Sequence, residues 1–83
     1  MATTQAEIRG WLSEGKKMRA THMIVVCDTF DWEDYSVFVS SNEDVRKKYA
    51  EYSGPNMQKV MEVYSLKKDI ESQLNEHRAF HFD

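Results

Sequence analysis

The chain has 83 residues, room for one domain spanning 1–83 and no more. With 14 acidic and 11 basic residues and a net charge of -3, it does not read as a binder of polymeric nucleic acid, whose affinity comes from a concentrated basic surface. The single cysteine, Cys27, has no partner for an internal disulfide, which excludes a covalently stapled mini-protein.

Thr4-Gln5-Ala6-Glu7 has the pattern of a capping box, and Ile8, Trp11 and Leu12 follow at helical spacing. The pattern predicts a helix over 4–15, with Gly15 as a left-handed cap and Lys16, Lys17 and Arg19 at or just past the end, where the dipole favours cations. Residues 22–27 are β-branched and nearly all apolar, as in a strand that is central in its sheet or covered on both faces. In that run Cys27 reads as a small core side chain. After the loop Asp28-Thr29-Phe30-Asp31-Trp32-Glu33-Asp34, residues 35–40 alternate as a second, antiparallel strand.

Ser41-Asn42-Glu43-Asp44 starts another helix, carried by Val45, Tyr49 and Tyr52 and stopped by Gly54-Pro55. Residues 59–66 could form a helical face, but their Val and Tyr content after a breaker favours a third strand. A last helix begins at Ser65 or Lys67, with Leu66, Ile70, Leu74 and His77 on one stripe. The expected fold is α+β in the order α-β-β-α-β-α: a two-layer, three-stranded, mainly antiparallel sheet with helices on one face. Such a sheet has two open edges and a thin core, and both features favour a homo-oligomer, a dimer or a tetramer. The aromatic ending Arg78-Ala79-Phe80-His81-Phe82 is expected to dock, on its own core or on another subunit. No apolar run nears the ~20 residues that span a bilayer, and the first residues have neither the basic start nor the apolar stretch of a signal peptide, so the expectation is a cytosolic protein.

The segment Asp28 to Tyr35 is the most unusual feature. Read plainly, it is a hairpin connection whose aromatics fold back on the core while its acids stay in water. A metal reading has oxygen ligands in Asp28, Asp31, Glu33 and Asp34 but lacks the glycine and distal bidentate Glu of a calcium loop, and it ranks below the others. A recognition reading uses Trp32 and Tyr35 to stack on a purine and Asp31 or Glu33 to accept from a guanine edge. Arg46 and Arg78 outrank the lysines as phosphate ligands, because guanidinium binds phosphate bidentately. Asn56 can hydrogen-bond a base or ribose. The dispersed His22, His77 and His81 read as structural or surface residues. No Gly-rich phosphate loop and no nucleophile constellation is present, so catalytic residues, metal ligands and cofactors are all assigned as none, and the chain reads as no enzyme.

The runs Thr21-His22-Met23-Ile24-Val25-Val26-Cys27-Asp28-Thr29-Phe30-Asp31-Trp32-Glu33-Asp34-Tyr35, Asn56-Met57-Gln58-Lys59-Val60-Met61-Glu62-Val63-Tyr64 and Glu76-His77-Arg78-Ala79-Phe80-His81-Phe82 resemble blocks of small proteins from phage and prophage genomes. That group resembles the phage anti-CBASS sponges, which sequester cyclic-dinucleotide signals and blunt bacterial abortive defence. Ser36 departs from the pattern, where proline is expected after the tyrosine. The resemblance implies a homo-oligomer, a tetramer, in the host cytoplasm that binds a signal such as cyclic GMP–AMP without cleaving it. Two other classes stay open: an inhibitor that occupies a host enzyme with its acidic aromatic surface, and a small metal-dependent hydrolase using the loop carboxylates.

Overall fold

In the computed structural model, which describes residues 4–53, 57–76 and 79–82, strand β1 (His22–Asp28) runs through the middle of the molecule. It is flanked by β2 (Glu33–Val39) and β3 (Gln58–Ser65), both antiparallel to it, in the order β2-β1-β3. Three helices, α1 (Gln5–Lys17), α2 (Val45–Tyr52) and α3 (Ile70–Leu74), complete the expected order α-β-β-α-β-α. Among the described residues, no helix is long and apolar enough to cross a membrane.

The helices do not share one face, as the two-layer expectation had it. Met23 and Val25 pack with Ile8 and Leu12 of α1, Tyr64 of β3 and Leu74 of α3. Ile24 and Val26 instead pack with Val45, Tyr49 and Tyr52 of α2. Side chains alternate along a strand, so these are opposite faces and the fold has three layers. The cause lies in β1, where Met23, Ile24, Val25 and Val26 are all apolar and both faces need cover.

The Thr4 cap forms as expected, its hydroxyl accepting from the Glu7 amide at 3.2 Å. Gly15 is not the helix end, however. It is buried in the last turn of α1, where an added Cβ would lie 2.9 Å from Leu66 Cδ1 and 3.1 Å from the Phe38 ring. The small residue lets α1 approach the sheet. The left-handed position falls on Arg19, at φ 61°, with Ala20 donating to the Gly15 carbonyl and Arg19 to that of Lys16.

Residues 59–65 prove to be strand, within β3, while Leu66 falls just past its end, and a register shift opposite Val25/Val26 marks a bulge in the strand. The last helix starts later than expected, at Ile70 behind an Asp69 cap, and Leu66 lies in the preceding turn. Buried Gln73 takes the place of a strand: its Oε1 accepts from the Ser65 amide at 2.8 Å and its Nε2 donates to the Ser65 carbonyl at 2.9 Å. The aromatic ending docks on its own chain. The Val63 amide donates to the Ala79 carbonyl at 2.8 Å and the His81 amide to the Val63 carbonyl at 3.0 Å, forming a parallel bridge. Of the two edges expected to be open, the one on β3 is therefore partly closed. His77 lies outside the described residues.

Candidate functional site at the hairpin end

The β1–β2 connection is built by Asp28. Its Oδ1 accepts from the Phe30 amide at 2.9 Å and the Asp31 amide at 3.4 Å, and its carbonyl accepts from the Trp32 amide at 2.6 Å. This local bonding is the usual reason an aspartate sits at the start of a turn. Closing the turn puts Trp32 at φ 57°, a left-handed conformation that a bulky residue seldom adopts. On the other side, the Thr29 amide donates to the Met57 carbonyl at 2.8 Å, and Met57 also has positive φ, 55°.

The aromatics here do not fold back as the plain reading expected. Phe30 is 70% exposed, Met57 59%, Trp32 56% and Tyr35 36%. Lys59 Nζ lies 5.9 Å from the Trp32 ring centroid, a cation–π distance. Tyr35 is better anchored: its hydroxyl donates to Gln58 Oε1 at 3.1 Å, and its ring meets Tyr52 edge-on at 6.5 Å. Burial first, then Tyr52 and Asp28, push its phenol above the ordinary value, so it stays a neutral donor. Asp31 and Glu33 are exposed beside these rings. Beneath them Cys27 is buried, and burial, followed by a hydrogen bond to Asp34, raises its thiol. A raised thiol is a poor nucleophile, in keeping with a core role.

The structure thus gathers Trp32, Tyr35, Asp31 and Glu33 at one end. Arg46 stands apart from them. It starts α2, while Tyr52 beside Tyr35 ends it, a separation of about 9 Å along the axis at 1.5 Å per residue. Its guanidinium lies 4.8 Å from the centre of the Phe82 ring. Asn56 and Arg78 lie outside the described residues. Sequence reading left Phe30, Met57, Lys59 and Gln58 out of the site. The last three enter through strand register, since Gln58 pairs with Asp28 and brings the start of β3 to the hairpin.

Among the described residues, grooves also lie elsewhere. One of about 430 Å³ runs between α1 and the start of α3, lined by Arg9, Lys16, Lys68, Asp69 and Glu71, with Arg9 held bidentate on Glu71 at 2.6 and 2.8 Å. Another, of about 360 Å³, lies at the start of α2 beside the Lys48–Glu43 ion pair. Both mix charges of the two signs. Among the described residues, no group of three or more His, Cys, Asp or Glu side chains could hold a metal ion. No family model, curated protein or solved structure matches the chain.

Proposed function

We propose that the protein is a non-catalytic binder that captures a cyclic dinucleotide, such as cyclic GMP–AMP, at the hairpin end, and that a phage uses it to sequester this signal in the host cytoplasm. The observation that supports the reading is Trp32, large, apolar and 56% exposed, close in sequence to the still more open Phe30 and the carboxylates of Asp31 and Glu33. An exposed indole offers a stacking plane for a purine, and a neighbouring carboxylate accepts from the two N–H groups of a guanine edge. Tyr35 walls the site as a neutral phenol. Lys59 supplies a cation beside the indole.

Titration calorimetry of the purified protein against cyclic di- and trinucleotides tests this reading. Binding that weakens roughly 5- to 150-fold in Trp32→Ala is expected, from ~1–3 kcal/mol per stacked base. Absence of heat for every ligand at tens of micromolar defeats the reading.

A second reading is favoured by the extent of the apolar surface. Phe30 and Met57 extend it beyond what one base covers, as in a protein-binding patch with acidic rim. A host enzyme with a basic groove is the partner this surface suits. Retention of one host protein by wild type and its loss with Trp32→Ala, without nucleotide binding, would favour this reading over the first.

A further inference from the structure

The start of α1 meets the end of α3, so the two helices run antiparallel. Gln5 Nε2 donates to the Leu74 carbonyl at 2.9 Å, and further along Arg9 holds Glu71 bidentate at 2.6 and 2.8 Å. Beyond that ion pair the pattern changes. Lys16 of α1 and Lys68 of the turn before α3 line one groove of about 430 Å³, together with Ser13. Two contacts fix this approach: Leu66 lies close over Gly15, and the Leu66 amide donates to the Thr21 carbonyl at 2.9 Å. Attraction between the two segments thus gives way to like charge.

Helix dipoles account for only part of this. Lys16 and Lys17 end α1, where positive charge is favoured, but Lys67 and Lys68 precede α3, where it is disfavoured. Among the described residues, the acids of this region are engaged or face elsewhere. Glu71 is held by Arg9, and Asp69 caps α3, accepting from the Glu71 amide at 3.3 Å and the Ser72 hydroxyl at 2.9 Å. Glu7 and Glu14 stand about 200° around α1 from Arg9 and Lys16 respectively, at about 100° per residue. Glu43 and Asp44 follow β2 but belong to the α2 side, Glu43 on Lys48 at 2.9 Å and Asp44 on the Arg46 amide at 3.0 Å. The groove lining carries Arg9, Lys16 and Lys68 against Asp69 and Glu71, a positive balance in a chain of net charge -3. Lys17, Arg19 and Lys67 are exposed close by in the chain.

We infer that this groove binds a small phosphate monoester. Its phosphate, close to doubly charged at neutral pH, sits between the Lys16 and Lys68 ammonium groups. The exposed Ser13 hydroxyl, one turn before Lys16, donates to it. Arg9 stays on Glu71 and forms the far wall, about 10 Å from Lys16 along the helix at 1.5 Å per residue. Between the two ends, half-buried Ile70 and the edge of Leu12 give the groove an apolar floor for the organic part of the ester. The site stands apart from the hairpin end and does not depend on the nucleotide reading.

Amide NMR titration with phenyl phosphate, inorganic phosphate and chloride at one ionic strength tests the site. Saturable shifts are expected around Ser13, Lys16, Lys68 and Ile70, with phenyl phosphate bound more tightly than inorganic phosphate. Lys16→Gln and Lys68→Gln are each expected to weaken binding about fivefold, the loss of one charge-assisted hydrogen bond at an open site. Lys47→Gln, on an exposed part of α2, and Trp32→Ala are expected to bind as wild type does. Shifts no different from those with chloride, phenyl phosphate bound no better than inorganic phosphate, or an equal loss in Lys47→Gln overturns the inference.

Discussion

The two ends of the sheet are built to different standards. Where β1 begins, each special feature has a structural partner: Gln73 mimics a strand against Ser65, Gly15 lets Leu66 and Phe38 in, and Arg19 closes α1. Where β1 ends, two bulky residues, Trp32 and Met57, adopt left-handed backbone and then leave their side chains in water. Trp32 keeps Lys59 beside its ring at 5.9 Å, yet neither side chain enters the core, and strained backbone of this kind clusters at binding surfaces. The contrast separates residues that hold the fold from residues that the fold holds out.

The largest test strikes the closed end. Gln73→Leu removes the two buried hydrogen bonds that Gln73 supplies to the Ser65 amide and carbonyl, and urea unfolding is expected to show a loss of about 2–4 kcal/mol. Gly15→Ala comes next. Its methyl must displace Leu66 and the Phe38 ring, for an expected cost of about 1–3 kcal/mol in the same assay. Phe30→Ala at the open end, by contrast, is expected to stay within about 0.5 kcal/mol of wild type.

Glycine substitutions sharpen the comparison further. Arg19→Gly and Trp32→Gly both relieve positive φ, and each is expected to gain about 1 kcal/mol of stability. Only the second is expected to cost ligand binding. A gain in stability coupled to a loss of function is what a strained functional residue shows.

The smallest effect is a pH response away from both ends. The Ser40 amide first, then Lys48 and the Ser40 hydroxyl, lower the Glu43 carboxyl from 4.5 to about 2. A carboxyl lowered on folding stabilises the native state above its unfolded value and loses that contribution as the pH falls through its folded one. The small difference in melting temperature between wild type and Glu43→Gln is therefore expected to be complete above pH 4.5 and to close toward pH 2.

Much of this was legible in the residues. The element order followed from caps, breakers and periodicity, and Asp31, Trp32, Glu33 and Tyr35 share one end of the sheet because they lie within five residues of the chain. The layer arrangement was legible in part: apolar residues at both parities of β1 allow either a central strand or cover on both faces, and the expected fold kept the first and put the helices on one face, whereas the strand is both central and covered on both sides. Gly15 was taken for a cap because conformation and packing both select glycine, and only the facing Leu66 and Phe38 tell them apart. Met57 and Lys59 join the site through strand register across α2, and no local pattern announces that. Arg46 was selected for its chemistry, which says nothing of its seat on Phe82.

The most direct measurement is calorimetric titration of cyclic GMP–AMP into wild type and Trp32→Gly, whose folded state is expected to be no less stable. Micromolar or tighter binding by wild type, weakened at least about tenfold in the variant, is the expected result. Equal affinity of the two proteins, or no heat from either, would contradict a ligand site at the hairpin end.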